Sequence, residues 1–123
     1  ILHQCDCAVF ASRYESGTNL PAMESMACGL PVVLSANTGH LDLVDPAHCY
    51  PLTRQTPVPP PRPQVGNEGW GASSPGEIDE ALEAIYQHPD EARTKGDAAA
   101  AFLQTLSWDH QVEGLLQVLD EVS

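Results

Sequence analysis

The sequence predicts an α/β domain, in which a partial parallel sheet is followed by carboxy-terminal helices. Three observations predict it. Two short apolar runs, Cys7 to Ala11 and Pro31 to Ser35, lack polar alternation, as strands covered on both faces do. A loop and a short helical stretch lie between them, giving strand, helix and strand within about thirty residues, the size of a βαβ unit. The last third carries helix start signals followed by apolar positions at helical spacing.

Taken in order, Cys7-Ala-Val-Phe-Ala reads as the first strand, closed by Ser12-Arg13. A polar loop, Tyr14 to Asn19, leads into a helix from Leu20 to Cys28. Thr18 or Asn19 is the expected N-cap, Pro21 sits in the first turn where its missing N–H costs nothing, and Gly29 takes the C′ place. Pro31 to Ser35 is the second strand, ended by Asn37-Thr-Gly39. Cys49 to Leu52 is a third strand, placed at an edge by Pro51. Residues 56–74 read as a Pro- and Gly-rich surface excursion, since Thr56 to Pro63 holds five prolines in eight residues and favours an extended, polyproline-like chain. Ser74-Pro-Gly-Glu77 has the spacing of a capping box, and Ile78, Leu82 and Ile85 share a face behind it. His88-Pro89 ends that helix and starts another through Ala98, Phe102 and Leu106. Ser107 then caps a terminal helix over 107–123 with an apolar stripe of Val112, Leu115, Leu116 and Leu119.

At 123 residues the chain is expected to form one domain, residues 1–123. The hydrophobic share of 42% supports a core, although much of it is Ala. Seventeen acidic residues against five basic ones give a net charge of -12, which argues against nucleic acid and against an anionic membrane surface. No apolar run is long enough to span a bilayer. The opening on Ile1 with a strand so close behind it leads us to expect further protein upstream. Cys5, Cys7, Cys28 and Cys49 lack paired metal-ligand spacing, so they are expected to be reduced and buried, which favours a cytoplasmic location.

The stretch that carries chemistry is Arg13 to His40. A strand ends in a Gly-containing loop that runs straight into a helix. The first N–H groups of that helix, around Asn19 to Ala22, lack intrahelical partners and carry the positive end of its dipole. This is a place for a phosphate, at the carboxy ends of parallel strands where such folds bind ligands. Gly17 lets the backbone come close to a ligand. Glu15 and Glu24 flank the loop as acceptors for hydroxyl groups, which suggests sugar rings on either side of a diphosphate. The plainer reading is an ordinary capped loop with two solvated carboxylates.

Arg13-Tyr-Glu-Ser-Gly-Thr-Asn-Leu20 and Glu24-Ser-Met-Ala-Cys-Gly-Leu-Pro-Val32 resemble the donor-site signature of retaining GT-B glycosyltransferases, the group 1 type. Trp70 before an acidic helix and Ser107-Trp108 at the final helix resemble that family's carboxy terminus. The resemblance covers nearly the whole chain. It implies a Rossmann-like sheet, the carboxy-terminal half of a GT-B enzyme. It also implies roles. Glu15 would be the catalytic-site acid that contacts hydroxyls of the donor sugar, and Glu24 would hold the ribose. Gly17 and the backbone at Thr18, Asn19 and Leu20 would cradle the diphosphate. Eight residues separate the two acids, one more than in the family's common pattern, so the loop is expected to bulge. Gly39-His40 stands where many members have Gly-Gly, with Asp42 nearby, and His40 is expected to be a structural loop residue rather than a base.

The implied activity is transfer of a sugar, hexosyl in type, from a UDP-, GDP- or ADP-linked donor to a hydroxyl acceptor with retention, without a metal or other cofactor. The acceptor domain and the family's Arg–Lys pair would lie outside this chain. Alone, it is therefore expected to be inactive, and poorly soluble because of a bare sheet edge and the face of its last helix. The alternatives are a non-catalytic GT-B-like module that binds a nucleotide sugar, a nucleotide-sugar epimerase of the same fold, and a plain α/β interaction domain.

Overall fold

A computed structural model of the protein describes residues 1–62 and 66–123. Pro63, the last proline of the Pro-rich run, lies outside the described residues. Three strands form a parallel sheet in the order β1 (Ala8–Phe10), β2 (Val32–Ser35), β3 (Tyr50–Leu52). Val33 pairs with Val9 on one side and with Tyr50 on the other. The central strand is buried at every residue, which is why its sequence carries no polar alternation. Val32 and Leu34 point to one face and Val33 to the other, as the two-residue period of a strand requires.

Helices cover both faces. Helix α1 (Leu20–Ala27) places Ala22 and Met26 against Val32 and Leu34, and α3 (Pro89–Gln104) adds Ala99 to the same cluster. On the other face α2 (Pro75–Gln87) packs Ile85 onto Val33 and Leu52. Fully burying a side chain such as Met26 or Leu34 contributes about 1.5–3 kcal/mol relative to leaving it exposed.

The βαβ unit follows its sequence signals closely. Asn19 is the N-cap, with its side chain accepting from the Ala22 N–H at 3.2 Å. Gly29 adopts φ +75° after the helix, the left-handed C′ conformation that glycine takes without strain. Gly96 on α3 meets this turn so closely that a Cβ there would stand 2.1 Å from the Gly29 carbonyl oxygen. The α1–α3 contact therefore needs a residue without a side chain.

Two expectations are corrected, the capping box and the burial of the cysteines, and the excursion gains a closed neck. The excursion is tied off at its neck: β4 (Gln55–Pro57) and β5 (Gly71–Ser73) pair antiparallel, Gln55 opposite Ser73 and Pro57 opposite Gly71. Ser74 does open α2 with Pro75 at the first position, but its side chain makes no capping bond. Glu77 instead reaches outward and accepts from Thr53 N–H and Oγ1 and from Arg54 N–H, at 2.9–3.0 Å, fixing the end of β3 to the start of α2. Of the four cysteines, all free, Cys49 is buried and Cys7 half-buried, whereas Cys5 and Cys28 are exposed. The terminal helix, α4 (Trp108–Glu121), is capped by Ser107 as expected but buries no residue. Its stripe of Val112, Leu115, Leu116 and Leu119 stands in the open.

Candidate functional site

The chain leaves β1 at the carboxy end of the sheet and crosses the loop that leaves β2 at the same end. Contacts between these two loops build the site. Asn37, buried, donates from Nδ2 to the Ser12 carbonyl at 2.9 Å, to Gln55 Oε1 at 3.0 Å and to the Gly71 carbonyl at 3.1 Å. It thus ties the exit of β1 to both strands of the ribbon. The Glu15 N–H donates to Thr38 Oγ1 at 2.7 Å, and Gly39 N–H donates to the Glu15 carbonyl at 3.2 Å. Gly39 is where the two backbones touch: a Cβ there would lie 1.7 Å from the Gly17 carbonyl oxygen.

Two residues other than glycine, Asn19 at φ 56° and Thr38 at φ 40°, adopt left-handed conformations within these loops. Such conformations cost free energy and persist where the surroundings over-determine them. Thr38 is held by Glu15 and by its own bond from Oγ1 to Asn37 Oδ1 at 3.1 Å. Asn19 is held from both ends of its amide, by Ala22 and by His40.

His40 is fully buried and uses both ring nitrogens. Nδ1 lies 3.1 Å from the Ser35 carbonyl, which accepts only, so Nδ1 carries the proton. Nε2 is then the acceptor, and Asn19 Nδ2 donates to it at 2.7 Å. Burial pushes the imidazole below the ordinary histidine range, while the Ser35 carbonyl and the Glu15 carboxylate pull it back. His40 thus joins the end of β2 to the start of α1 through its two ring nitrogens.

Among the described residues, the backbone N–H groups of Ser16, Gly17, Thr18, Asn19 and Leu20 have no protein partner. The loop and the first residue of α1 therefore present a run of open donors where the helix dipole is positive. Gly17, Thr18 and Leu20 are exposed, whereas Glu15 and Asn19 are half-buried. Glu24 lies one turn along α1, also exposed. Neither Glu15 nor Glu24 gives its carboxylate to a protein donor among the described residues, so both remain available to hydroxyl groups. Glu15 to Asn19 thus form the loop that enters α1 at Leu20, and Glu24 lies one turn along that helix.

Three contributors escaped sequence reasoning. Asn37 and Thr38 were legible only as a turn. Trp70 stacks on Tyr14 at 4.1 Å and 6°, and the Gly71 N–H donates to the Arg13 carbonyl at 2.9 Å, so the far end of the excursion returns to the loop. The signal for the first two was available: in a βαβ unit the loops after both strands emerge at one end of the sheet. The Trp70 contact had no local signal.

A cavity of about 610 Å³ opens at the opposite, amino ends of the strands, between Cys7, Gly29, Pro31, Ile85, Tyr86 and Arg93. No residue of the Glu15-to-Glu24 motif lines it. It lies away from the open amides and from Glu15 and Glu24. Among the described residues no group of His, Cys, Asp or Glu is assembled to hold a metal ion, and no helix is long and apolar enough to cross a membrane.

Comparison with known proteins addresses the same residues. Residues 1–57 match the model of a family described as glycosyl transferases group 1. Among solved structures, a sucrose-phosphate synthase from Thermosynechococcus elongatus is similar over 99% of this chain, at 27% identity and a TM-score of 0.66. The chain spans 27% of the length of that structure. A search of curated proteins gave no match.

Proposed function

We propose that this chain, a glycosyltransferase carboxy-terminal domain of GT-B fold by its family match and structural likeness, holds the nucleotide-sugar donor of a retaining sugar transfer. The observation that carries the reading is the run of open backbone N–H groups from Ser16 to Leu20, flanked by Glu15 and Glu24, within the residues that match the family. Open amides at a helix start suit a diphosphate, and free carboxylates beside them suit sugar and ribose hydroxyls. On this reading Gly17, Thr18, Asn19 and Leu20 receive the diphosphate, Glu15 faces the transferred hexose, and Glu24 receives the ribose.

The difficult step is departure of the nucleoside diphosphate while positive charge develops at the anomeric carbon. Donors already aimed at the leaving oxygens stabilise that charge separation without reorganising. The α1 terminus supplies about 0.3–2 kcal/mol, small for a dianion on a chain of net charge -12. Basic groups from outside this chain complete the clamp, and the chain alone is inactive. No metal or cofactor is invoked, and the acceptor hydroxyl binds on another part of the enzyme. The four free cysteines fit a cytoplasmic enzyme.

The test is donor hydrolysis and transfer by the protein expressed at the full length of its gene, beside Glu24→Ala, across UDP-, GDP- and ADP-sugars. Release of one nucleotide, lost in the variant, is expected and names the donor class. Binding without turnover would make the protein a nucleotide-sugar-binding module instead. If no donor binds at all, the site assignment is wrong.

A further inference from the structure

Resting on the donor-site reading above, we propose that His40 is a positioning residue for the donor diphosphate, acting through its hydrogen bond to Asn19. Asn19 is the joint between the loop and α1. It holds a left-handed φ of 56°, and its side chain closes the first turn by accepting from Ala22 N–H. The open amides of Ser16 to Leu20 run directly into that joint, so their direction depends on how Asn19 is held.

Only one protonation state holds it this way. The Ser35 carbonyl fixes the proton on Nδ1, which leaves Nε2 as acceptor and turns Asn19 with Nδ2 towards the ring and Oδ1 towards Ala22. A second proton on His40 would make both ring nitrogens donors. The Asn19 amide would then face a donor with a donor. Turning it over would satisfy His40 but present Nδ2 to the Ala22 N–H, and the cap would be lost. Glu15, from the loop lying against the ring, is the charged group whose field reaches it, and it favours the second proton. Burial opposes that proton and outweighs the pull of the Ser35 carbonyl and of Glu15, so the ring is kept in the acceptor form near neutral pH. A plain turn residue would need neither this tautomer nor this burial.

The proposal makes donor affinity depend on pH, with a nucleotide sugar as probe because its diphosphate, esterified at both ends, does not titrate near neutrality. With the donor identified above, equilibrium binding to the full-length protein is measured from about pH 8 to about pH 5.5, across the histidine range. For wild type the Kd is expected to rise about tenfold on the acid side, in line with loss of a cap. His40→Gln keeps a carbonyl for Asn19 and has nothing to titrate there, so its affinity should stay near wild type and flat with pH. His40→Asn is too short to reach Asn19 and should bind about tenfold more weakly throughout.

If His40→Asn fails to fold, Asn19→Gly removes that contact together with the bond from Ala22 while tolerating the left-handed backbone, and it should show at least the same loss with native circular dichroism. Wild-type affinity in either of these variants, or an acid fall in His40→Gln equal to that of wild type, would overturn the proposal. A wild-type protein that binds no donor at any pH would instead remove the donor-site reading on which it rests.

Discussion

Helices α1 and α4 invert the usual relation between pattern and burial. The first has eight residues, polar and apolar positions mixed, yet Ala22, Ser25 and Met26 are buried. The last has fourteen residues and a regular apolar stripe, yet nothing on it is buried. The difference lies in what surrounds them. Helix α1 sits between the sheet and α3, where Gly96 lets the backbone of α3 close onto Gly29. Helix α4 comes after the last packed residues of this region, Phe102 and Leu103 of α3 and Leu106 in the turn beyond it. An amphipathic stripe states what a helix is suited to face, while burial states what it does face, and the two need not agree in one chain.

That comparison can be broken by mutation. Met26→Ala removes a fully buried side chain between α1 and the sheet and should lower unfolding free energy by about 2–5 kcal/mol in a denaturant titration. Gly96→Ala forces a methyl against the Gly29 carbonyl and should cost about 1–3 kcal/mol, read from the shift in urea midpoint. An effect of Gly96→Ala near zero would mean that α1 and α3 are looser than their geometry. Leu116→Ser on the α4 stripe should change stability by less than about 0.5 kcal/mol while reducing self-association in sedimentation velocity. A loss there as large as that of Met26→Ala would show that α4 is covered in solution and remove the contrast.

A finer probe is acidity. The unfolded His40 titrates at its ordinary value of 6.5, while burial lowers the folded value. Below 6.5 the unfolded state therefore binds more protons, so this residue's contribution is complete above that pH and is lost as pH falls through the folded value. Stability measured against pH should decline on the acid side, and His40→Gln should flatten that decline. An unchanged acid slope would indicate that the ring is reached by water.

The sequence made the βαβ unit legible because its signals are local: an Asn before the helix, Pro21 inside it, Gly29 after it, and β-branched residues in β2. The open loop between Glu15 and Leu20 was legible for the same reason. The β4–β5 ribbon was not, since Gln55–Pro57 and Gly71–Ser73 are three-residue strands without an apolar pattern, paired across a Pro-rich stretch. Glu77 suggested a capping box by spacing alone, but three donors from Thr53 and Arg54 outbid the helix's own start. Tyr14 and Trp70 are far apart in sequence, and nothing near either residue points to the other. Contacts of this kind are set by the closing of a distant ribbon, which no short window contains.

The ribbon also separates the Pro-rich segment from the loop it anchors. Strands paired in register hold their two chains about 4.7–4.9 Å apart, whatever hangs from the far end. The Asn37 bonds to Gln55 and Gly71, and the Trp70 stack on Tyr14, sit at or just beyond that closed neck. Insertions or deletions between Val58 and Gly66 would leave those anchors in place, and doubling such a loop costs only about 0.6 kcal/mol of closure entropy. A change of length beyond the neck should therefore leave the loop that carries Glu15 where its own anchors hold it.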